Sequence, residues 1–384
     1  MRILAMKAEG FVLPHIHASM VRAFRSLGVE VLDLPIPRNE VQLRSFVEVC
    51  QKGYEAVFIL DLGADPFFML NVKHLQISTR IHWIIWFVDD PEGYGFPEVC
   101  EPDWTLAFCW DREIAQQNFS WNGKTMEHLP LATDPGVFFA EQIDSDFFYP
   151  DGVFVGSTAH PNEVLDAVAR TTPAFLEDAE YVWEAYCRDF RQSLHDLSWI
   201  RLARKTGLAL NLMQADPLCR LWVQACVYKV GIKKRQEVVS GVLGPAGCVF
   251  GDEGWVEALV EGLYRGWVPY GDELRKIYRG SGFVLDVRQP QGRTGLSQRI
   301  FDASACGSPV LTEWSPELET LFDAGDELLC FHNLEEAVEK KKCYLTDPKA
   351  ARKVGEKARL RVLAHHTYRH RAARILQALQ QFRE

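Results

Sequence analysis

The sequence lacks the patterns that mark membrane proteins, disulfide-stabilised proteins and structural zinc sites. No apolar run approaches the roughly 18 to 20 residues of a membrane-spanning helix, and Lys7 interrupts the apolar start that a signal peptide needs. The ten cysteines form no Cys-x-x-Cys pair and no Cys/His spacing typical of zinc ligands. We therefore expect reduced cysteines, a cytoplasmic location, and neither a bound metal nor a transmembrane segment.

Positive charge is also scarce. The 42 Lys and Arg residues are outnumbered by 52 Asp and Glu residues, which gives a formal net charge of −10. This balance argues against nucleic acid as a partner and against a general affinity for anionic membranes. The first loop after a strand also lacks the Gly-x-Gly-x-x-Gly pattern of dinucleotide-binding folds. Any site for an anionic ligand must therefore be local.

Short apolar runs that alternate with helical periodicity are the main pattern present. In the first half these runs are residues 2–6, 30–34, 56–60, 81–88 and 104–109. The alternation predicts an α/β fold with parallel sheets and crossover helices. A chain of 384 residues exceeds the usual size of one core, so we expect two such domains.

Three consecutive apolar runs of the first half end in aspartate. The carboxyl ends of parallel strands border the ligand crevice of such sheets, so these acids are expected along one edge. We interpret Asp61 and Asp111 as caps of the helices that follow them. Asp89 and Asp90 precede Pro91, which disfavours helical backbone at Asp90, and this acidic pair is a candidate general base.

The second half restarts the α/β pattern after an unpatterned stretch, residues 134–150, in which the domain boundary is expected. Its first apolar run ends in Gly156 and Ser157, and a helix is predicted after Pro161, so this loop is a candidate anion site at a helix start. Helical periodicity without strand patterns from about 174 to 232 predicts a helical insertion, after which a new helix is expected from Lys233.

The stretch from Gly292 to Pro316 reads GRTGLSQRIFDASACGSPVLTEWSP. A polar loop between two glycines precedes helical periodicity, and its N–H groups could bind an anion, most naturally a diphosphate. The loop residues concerned are Arg293, Thr294, Gly295 and Leu296. Arg299 could fork onto the same diphosphate, and Asp302 lies on nearly the same helical face, where it could accept from a pair of hydroxyls.

The segment from Gly295 to Pro316 resembles the C-terminal domain of the CgeB/YkvP-type, glycosyltransferase group 1 proteins. The resemblance continues through ELETLFDAGDELLCFHNLEEAVEKKKCYLTDP and HHTYRHRAARIL. In that family the patterns are GLxxRxFE, ACG, a short strand, PELExLF and HTYxHR. Asp302 stands where the wider class usually has a Glu that holds the nucleotide ribose. The Asp89-Asp90-Pro91 turn and the LPLATDP segment, residues 129–135, match the family more loosely.

This resemblance implies a GT-B fold, with two Rossmann-like parallel-sheet domains that face a cleft. Residues 1–140 would form the acceptor-side domain, and residues 141–365 would form the nucleotide-sugar-binding domain with the helical insertion at about 174–232. Residues 366–384 would form a C-terminal helix that returns to the first domain.

The implied activity is transfer of a sugar from a nucleotide-diphosphate sugar to a hydroxyl of a glycan, protein or small molecule, without a metal or other cofactor. The candidate bases are His15, which we place in the loop after the first strand where several GT-B enzymes keep a catalytic histidine, and Asp89 or Asp90. The candidate donor-binding residues are Gly156, Ser157, Tyr270, Arg288, Arg293, Thr294, Gly295, Leu296, Arg299 and Asp302. Tyr270 could flank the nucleobase or simply pack.

Two other functions remain open from the sequence. The chain could be a non-catalytic nucleotide- or sugar-binding protein in surface or spore-layer assembly, or an epimerase of nucleotide sugars. A homodimer is a candidate assembly.

Overall fold

Two compact units make up the chain. The computed structural model describes residues 1–63, 65–91, 98–116, 124–143, 145–158, 163–259 and 261–383. The first unit comprises Met1–Pro135, Thr294–Leu296 and Leu363–Glu384, and the second comprises Gly136–Arg293 and Ser297–Val362. The unit boundary at Pro135 lies at the start of the unpatterned stretch of the sequence.

Each unit is built on one parallel sheet. The strands of the first are β1 (Arg2–Met6), β2 (Glu30–Leu34), β3 (Ala56–Leu60), β4 (His82–Phe87), β5 (Thr105–Cys109) and β6 (Glu127–His128). They lie in the order β2-β1-β3-β4-β5-β6, and every neighbouring pair is parallel. All residues of β3 and β5 are buried, as the apolar sequence of β3 and the apolar run after Thr105 in β5 predict.

The second sheet has five strands. They are β7 (Val153–Val155), β8 (Cys248–Phe250), β9 (Val284–Asp286), β10 (Val310–Glu313) and β11 (Leu329–Phe331). Their order is β11-β10-β9-β7-β8, again with parallel neighbours. The predicted α/β fold with two parallel sheets is confirmed.

Fifteen α-helices lie in the described part of the chain. They are α1 (Leu13–Ser26), α2 (Glu40–Cys50), α3 (Pro66–Thr79), α4 (Arg112–Gln116), α5 (Glu163–Thr171), α6 (Phe175–Tyr186), α7 (Leu194–Thr206), α8 (Leu210–Ala215), α9 (Pro217–Val242), α10 (Asp272–Gly280), α11 (Gln298–Ala305), α12 (Leu318–Leu321), α13 (Leu334–Thr346), α14 (Pro348–His365) and α15 (Tyr368–Arg383). None of them is both long and apolar enough to cross a bilayer.

The C-terminal helix α15 is part of the first unit, where it packs against α1. Its buried face includes Ile375 and Leu379. The Arg371 guanidinium donates to the carbonyl oxygens of Pro130 and Leu131 at 2.6 and 2.8 Å. These charge-assisted bonds attach the helix to the LPLATDP segment.

Helices α5 to α9 follow β7 and precede β8, and they supply much of the core of the second unit. A separate helix from Lys233 was expected, but α9 runs unbroken from Pro217. Asp216 caps it by accepting from the N–H groups of Leu218 and Cys219 at 2.7 and 3.3 Å. After Pro217 at its first position, which a helix tolerates, α9 contains no proline that would divide it.

Candidate functional site

Arg299 is fixed at the carboxyl ends of two strands of the second sheet. It lies in the first turn of α11, its Nε donates to the Val155 carbonyl oxygen at 2.7 Å, and its guanidinium pairs with the Asp286 carboxylate. Asp286 also accepts from the hydroxyls of Ser297 and Thr312 at 2.5 and 2.9 Å. The carboxylate is buried, so this network holds the Arg299 side chain in one orientation.

Arg235, on α9, is a basic residue at this edge that the sequence analysis did not identify, as is its neighbour Lys234. The Arg235 side chain is 0% exposed, and none of its three guanidinium nitrogens has a hydrogen-bond partner within the described residues. Burial, reinforced by the positive charge of Arg299, lowers its pKa to about 9. The guanidinium carbons of Arg235 and Arg299 lie 5.3 and 4.5 Å from the centre of the Phe154 ring. The Phe154 ring thus makes a cation–π contact with both guanidinium groups.

Gly156 closes over the two guanidinium groups. A Cβ atom at this position would lie 2.5 Å from Arg299 Nη2 and 3.2 Å from Arg235 Nη2. Glycine therefore lets the backbone after β7 approach both cations without displacing the Arg299 guanidinium. The Gly156 N–H donates to the Phe250 carbonyl oxygen at 2.9 Å, which fixes the loop to β8.

A second buried ionic group lies at the end of β10. Lys234 Nζ and Arg288 Nη2 donate to the Glu313 carboxylate at 2.8 and 2.7 Å, and Tyr186 Oη donates to it at 3.3 Å. Burial alone would raise the pKa of Glu313, but the positive charges of Arg288 and Lys234 lower it to about 2. Arg288 also donates to the Arg293 carbonyl oxygen, so this predicted donor ligand already supports the neighbouring loop.

Positive charge is in excess at this edge. Arg235, Arg299, Lys234 and Arg288 are the cations, and Asp286, Glu313 and Asp252 are the carboxylates whose charges act on Arg235. Asp252 is bonded by the N–H and hydroxyl of Thr158, both at 2.8 Å. Because no carboxylate of the described residues is hydrogen-bonded to Arg235, an anionic ligand would find a guanidinium with free donors here.

The polar loop predicted to bind phosphate holds a carboxylate in this structure. The N–H groups of Thr294 and Gly295 both donate to Asp111 Oδ2 at 2.7 Å, and the Thr294 hydroxyl donates to Asp111 Oδ1 at 3.0 Å. These residues belong to the first unit. A Cβ atom on Gly295 would lie 2.7 Å from Trp110 Nε1. The loop thus binds an anionic group, and a phosphate would have to displace Asp111.

The ribose candidate Asp302 is buried on α11. Tyr270 Oη donates to its Oδ2 at 2.6 Å, and Gln298 Nε2 donates to its Oδ1 at 3.0 Å. The Tyr270 ring makes an edge contact with Phe138, with ring centres 5.0 Å apart. Tyr270 therefore both packs and holds Asp302, which brings two of the predicted donor residues together.

The remaining predicted donor residues lie around these groups. Ser157 follows Gly156 and is half-buried, whereas Leu296 is buried and serves the core. Pro161, which was expected to start the next helix, lies outside the described residues. Arg293 is half-buried, and its carbonyl oxygen accepts from Arg288.

Asp61 is not a helix cap, contrary to the sequence interpretation. It lies directly after β3 in the left-handed region, with φ of 50°, and the cap of α3 is Asp65. Its Oδ1 accepts from the N–H groups of Val88 and Asp89 at 2.9 and 3.3 Å. Its Oδ2 is buried without a hydrogen-bond partner in the described part of the chain. Burial raises the pKa of Asp61 to about 7, and the charge of Asp89 acts in the same direction.

Asp111 does act as a cap. Its Oδ1 accepts from the Ile114 N–H at 3.1 Å at the start of α4, which confirms that interpretation. It combines this role with the contact to the Thr294 loop.

The three candidate bases all lie in the first unit. Asp89 is exposed and its Oδ1 accepts from the Asp90 N–H at 2.9 Å, so these two acids share one turn after β4. His15 is exposed on α1, which begins at Leu13, and so it lies in the helix rather than in the preceding loop. His17, two residues further on, is buried, and its Nε2 lies 2.9 Å from Asp33 Oδ1.

Residues 230–377 match the family model described as Glycosyl transferase-like. This range includes Arg235, Arg288, Arg299, Asp302 and Glu313. On this match, the protein is a glycosyltransferase. The match does not favour the alternatives of a non-catalytic binding protein or an epimerase. No curated protein matches the sequence of this glycosyltransferase.

Solved structures show the fold of the glycosyltransferase. HepE from Anabaena, in complex with UDP and glucose, matches with a TM-score of 0.56 and 10% identity, covering 99% of this chain and 100% of that one. Sucrose-phosphate synthase from Thermosynechococcus elongatus matches with a TM-score of 0.57 and 12% identity, covering 99% and 98%. A glycosyltransferase from Rickettsia africae matches with a TM-score of 0.53 and 8% identity, covering 100% and 98%. The predicted GT-B fold is confirmed.

Proposed function

We propose that this glycosyltransferase moves a sugar from a nucleoside-diphosphate sugar to an acceptor hydroxyl without using a metal ion. We further propose that it is a CgeB/YkvP-like enzyme of the cytoplasm. Its ten cysteines are all unpaired, which suits a reducing compartment. The observation that carries the proposal is the buried guanidinium of Arg235, unpartnered within the described residues and lying beside Arg299 and Gly156.

A bound diphosphate would neutralise the buried positive charge of Arg235 and accept its hydrogen bonds. Burying an unpaired ion costs several kcal/mol, and a guanidinium with a pKa of about 9 remains protonated at neutral pH. A diphosphate at the carboxyl ends of β7 and β9 would give it acceptor oxygens. The same cations would stabilise the negative charge that develops on the departing nucleoside diphosphate, which is the main electrostatic demand of glycosyl transfer.

The acceptor side of the reaction is assigned to the first unit, with residues 1–140 as the proposed domain. Its candidate bases are Asp89, Asp90 and His15, and the base would take the proton of the attacking hydroxyl. The exposed carboxylate of Asp89 supports this role, because an acceptor can reach it. The donor side is assigned to residues 141–365.

Calorimetric titration of nucleoside diphosphates tests the donor site. UDP is the first probe because the HepE structure contains it, and ADP, GDP and pyrophosphate complete the panel. We expect Arg235→Met to weaken UDP binding at least tenfold, in line with the roughly 1.5–3 kcal/mol of a charged hydrogen bond. The matched control is Arg191→Met, because Arg191 is exposed and pairs with Asp189.

Thermal unfolding of the same variants separates binding from structure. Arg235→Met should leave the fold at least as stable as the parent, because an apolar side chain replaces an unpaired buried charge. Unchanged UDP affinity in a folded Arg235→Met protein would contradict the donor site.

Turnover of a nucleotide-sugar panel tests the reaction itself. We expect transfer to an acceptor in the presence of EDTA, whereas complete loss of activity with EDTA would contradict metal independence. We also propose that the protein forms a homodimer. Analytical ultracentrifugation of the same sample should then give about twice the mass of one chain.

A further inference from the structure

The segment from Arg204 to Arg220, here called the leucine segment, exposes more apolar side chain than any stretch of similar length in the described chain. Its exposed leucines are Leu208 (48%), Leu210 (48%), Leu212 (59%) and Leu218 (74%). Burial of exposed leucine side chains is favourable, so four of them in one short segment favour a partner that covers them.

These exposed leucines lie on a segment with defined secondary structure, from the end of α7 to the start of α9. Gly207, with φ of 70°, ends α7 in the left-handed conformation that favours glycine. Met213 is 0% exposed and fixes α8, and its sulfur accepts from the Thr206 hydroxyl at 3.6 Å. Asp216 caps the start of α9. The fold therefore anchors the segment through Met213 while it presents Leu210 and Leu212 to solvent.

Cations at both ends distinguish the leucine segment from an ordinary apolar patch. Arg204 donates to the Tyr181 hydroxyl at 3.0 Å, and Arg220 donates to the Gln214 carbonyl oxygen at 3.0 Å, so a neutral oxygen is the acceptor in both bonds. Lys205 shares the single carboxylate of Asp178 with Arg201.

Positive charge thus exceeds negative charge around the segment. The cations are Arg201, Arg204, Lys205 and Arg220, and the acids are Asp178, Asp216 and the neighbouring Glu177 of α6. This excess is local, because the whole chain has a net charge of −10. Cations beside exposed apolar side chains favour contact of this segment with an anionic surface, although the chain as a whole is acidic.

We propose that the leucine segment docks onto the surface of a lipid bilayer that contains anionic phospholipid. Leucines at 208, 210, 212 and 218 enter the boundary between headgroups and acyl chains, and the flanking cations bind lipid phosphates. α8 spans only Leu210–Ala215, so the segment lies in the interface and does not cross the bilayer. The proposal does not depend on the donor site, and it would bring the enzyme to membrane-bound acceptors.

Sedimentation of the full chain with vesicles tests the proposal. Each cation near an anionic surface contributes roughly 1 kcal/mol, so vesicles of phosphatidylcholine mixed with phosphatidylglycerol should bind at least tenfold more strongly than phosphatidylcholine alone. High salt should weaken this binding. Failure of the parent protein to bind the mixed vesicles overturns the proposal without any variant.

Two double variants separate the contributions of the leucines and of the arginines to vesicle binding. Leu210→Ser with Leu212→Ser should weaken binding to mixed vesicles at least tenfold. Arg204→Gln with Arg220→Gln should reduce the preference for phosphatidylglycerol. The matched controls are Leu360→Ser, which changes a leucine of α14 that is 65% exposed, and Arg191→Gln. UDP affinity should be the same in all four proteins.

Equal vesicle binding by the leucine double variant and the parent protein would overturn the assignment to this segment. A concentration-dependent dimer that the leucine changes abolish, in a protein that does not bind vesicles, would assign the surface to a second copy of the chain. That result would also overturn the membrane proposal.

Discussion

The carboxyl edges of the two sheets carry opposite charges on similar frameworks. In the first unit, Asp61 and Asp89 follow neighbouring parallel strands β3 and β4. In the second unit, Arg235 and Arg299 lie beside the end of β7. Both sheets provide the same kind of edge, so the difference comes from the side chains placed there. The fold supplies the position, and the local residues determine which ligand chemistry each edge suits.

Each edge contains a buried ionisable group that lacks a full set of partners among the described residues. At the acidic edge this is Asp61 Oδ2, and at the basic edge it is the Arg235 guanidinium. The carboxyl group can lose its charge by binding a proton, since its pKa is raised to about 7. The guanidinium stays charged at neutral pH, since its pKa is about 9. Only the basic edge therefore needs an external counterion.

The largest effect is expected when the carboxylate that pairs with two cations at the basic edge is removed. Glu313→Gln should lower the free energy of unfolding by roughly 3–5 kcal/mol, because it leaves Lys234 and Arg288 buried without their carboxylate. The folded pKa of Glu313 is about 2, below the ordinary value of 4.5. Its contribution is thus present above pH 4.5 and is lost as the pH falls through about 2. Urea unfolding at neutral and acidic pH measures both effects.

Glu319→Gln is the matched control for this prediction. Glu319 is exposed in the same region, and its carboxylate accepts from Trp314 Nε1 at 2.8 Å. We expect its stability to stay within about 0.5 kcal/mol of the parent. Similar unfolding curves for Glu313→Gln and Glu319→Gln would show that the buried ionic group contributes no net stability.

At the acidic edge, the second prediction has the opposite sign. Asp61→Asn should raise the free energy of unfolding at pH 7 by up to about 4 kcal/mol, since the parent must keep a proton that the unfolded chain releases. The ordinary pKa of 3.8 and the folded value of about 7 set the window. The contribution of Asp61 to the free energy of unfolding of the parent is fully present below pH 3.8 and is lost as the pH rises through about 7. Unfolding across this range measures the slope.

Asp65→Asn, four residues along the chain, provides the control. Asp65 caps α3 through the Phe68 N–H at 2.9 Å, and asparagine caps a helix about equally well. We expect the stability of Asp65→Asn at pH 7 to stay within about 0.5 kcal/mol of the parent. If the stability difference between Asp61→Asn and the parent did not change with pH, Asp61 would be an ordinary ionised carboxylate, and the contrast between the two edges would lose half of its basis.

The strands of both sheets could largely be predicted because parallel strands buried on both faces leave continuous apolar runs. The predicted bounds of β1, β2 and β3 agree with the structure. β6 has only two residues, Glu127 and His128, and gives no such run. The contact of Asp111 with Thr294 joins residues 183 positions apart, and no local pattern carries that information.

The site was predicted less completely than the fold, and Arg235 explains why. A run such as Lys233-Lys234-Arg235 is typical of a solvated helical face. The missed signal is spacing, because Lys234 falls between Val230 and Val238 at intervals of four, on a stripe that is otherwise apolar. A charge on an apolar helical stripe indicates a buried ionic site. The sequence cannot show which charge will lack a partner.

The smallest effect is expected for Asp302, and it separates ribose binding from diphosphate binding at the basic edge. Asp302→Ala should weaken UDP binding about tenfold, as loss of a charged hydrogen bond implies, and leave pyrophosphate binding unchanged. Tyr270→Phe removes the 2.6 Å bond from Tyr270 Oη to Asp302 and the 3.4 Å bond from Gln298 Nε2 to Tyr270 Oη. It keeps the Asp302 carboxylate, so it should lower UDP affinity less. Titration of both ligands into both variants measures the difference. Equal losses for UDP and pyrophosphate in Asp302→Ala would assign Asp302 to packing on α11, because a carboxylate that binds a ribose hydroxyl pair has no reason to affect a ligand without ribose.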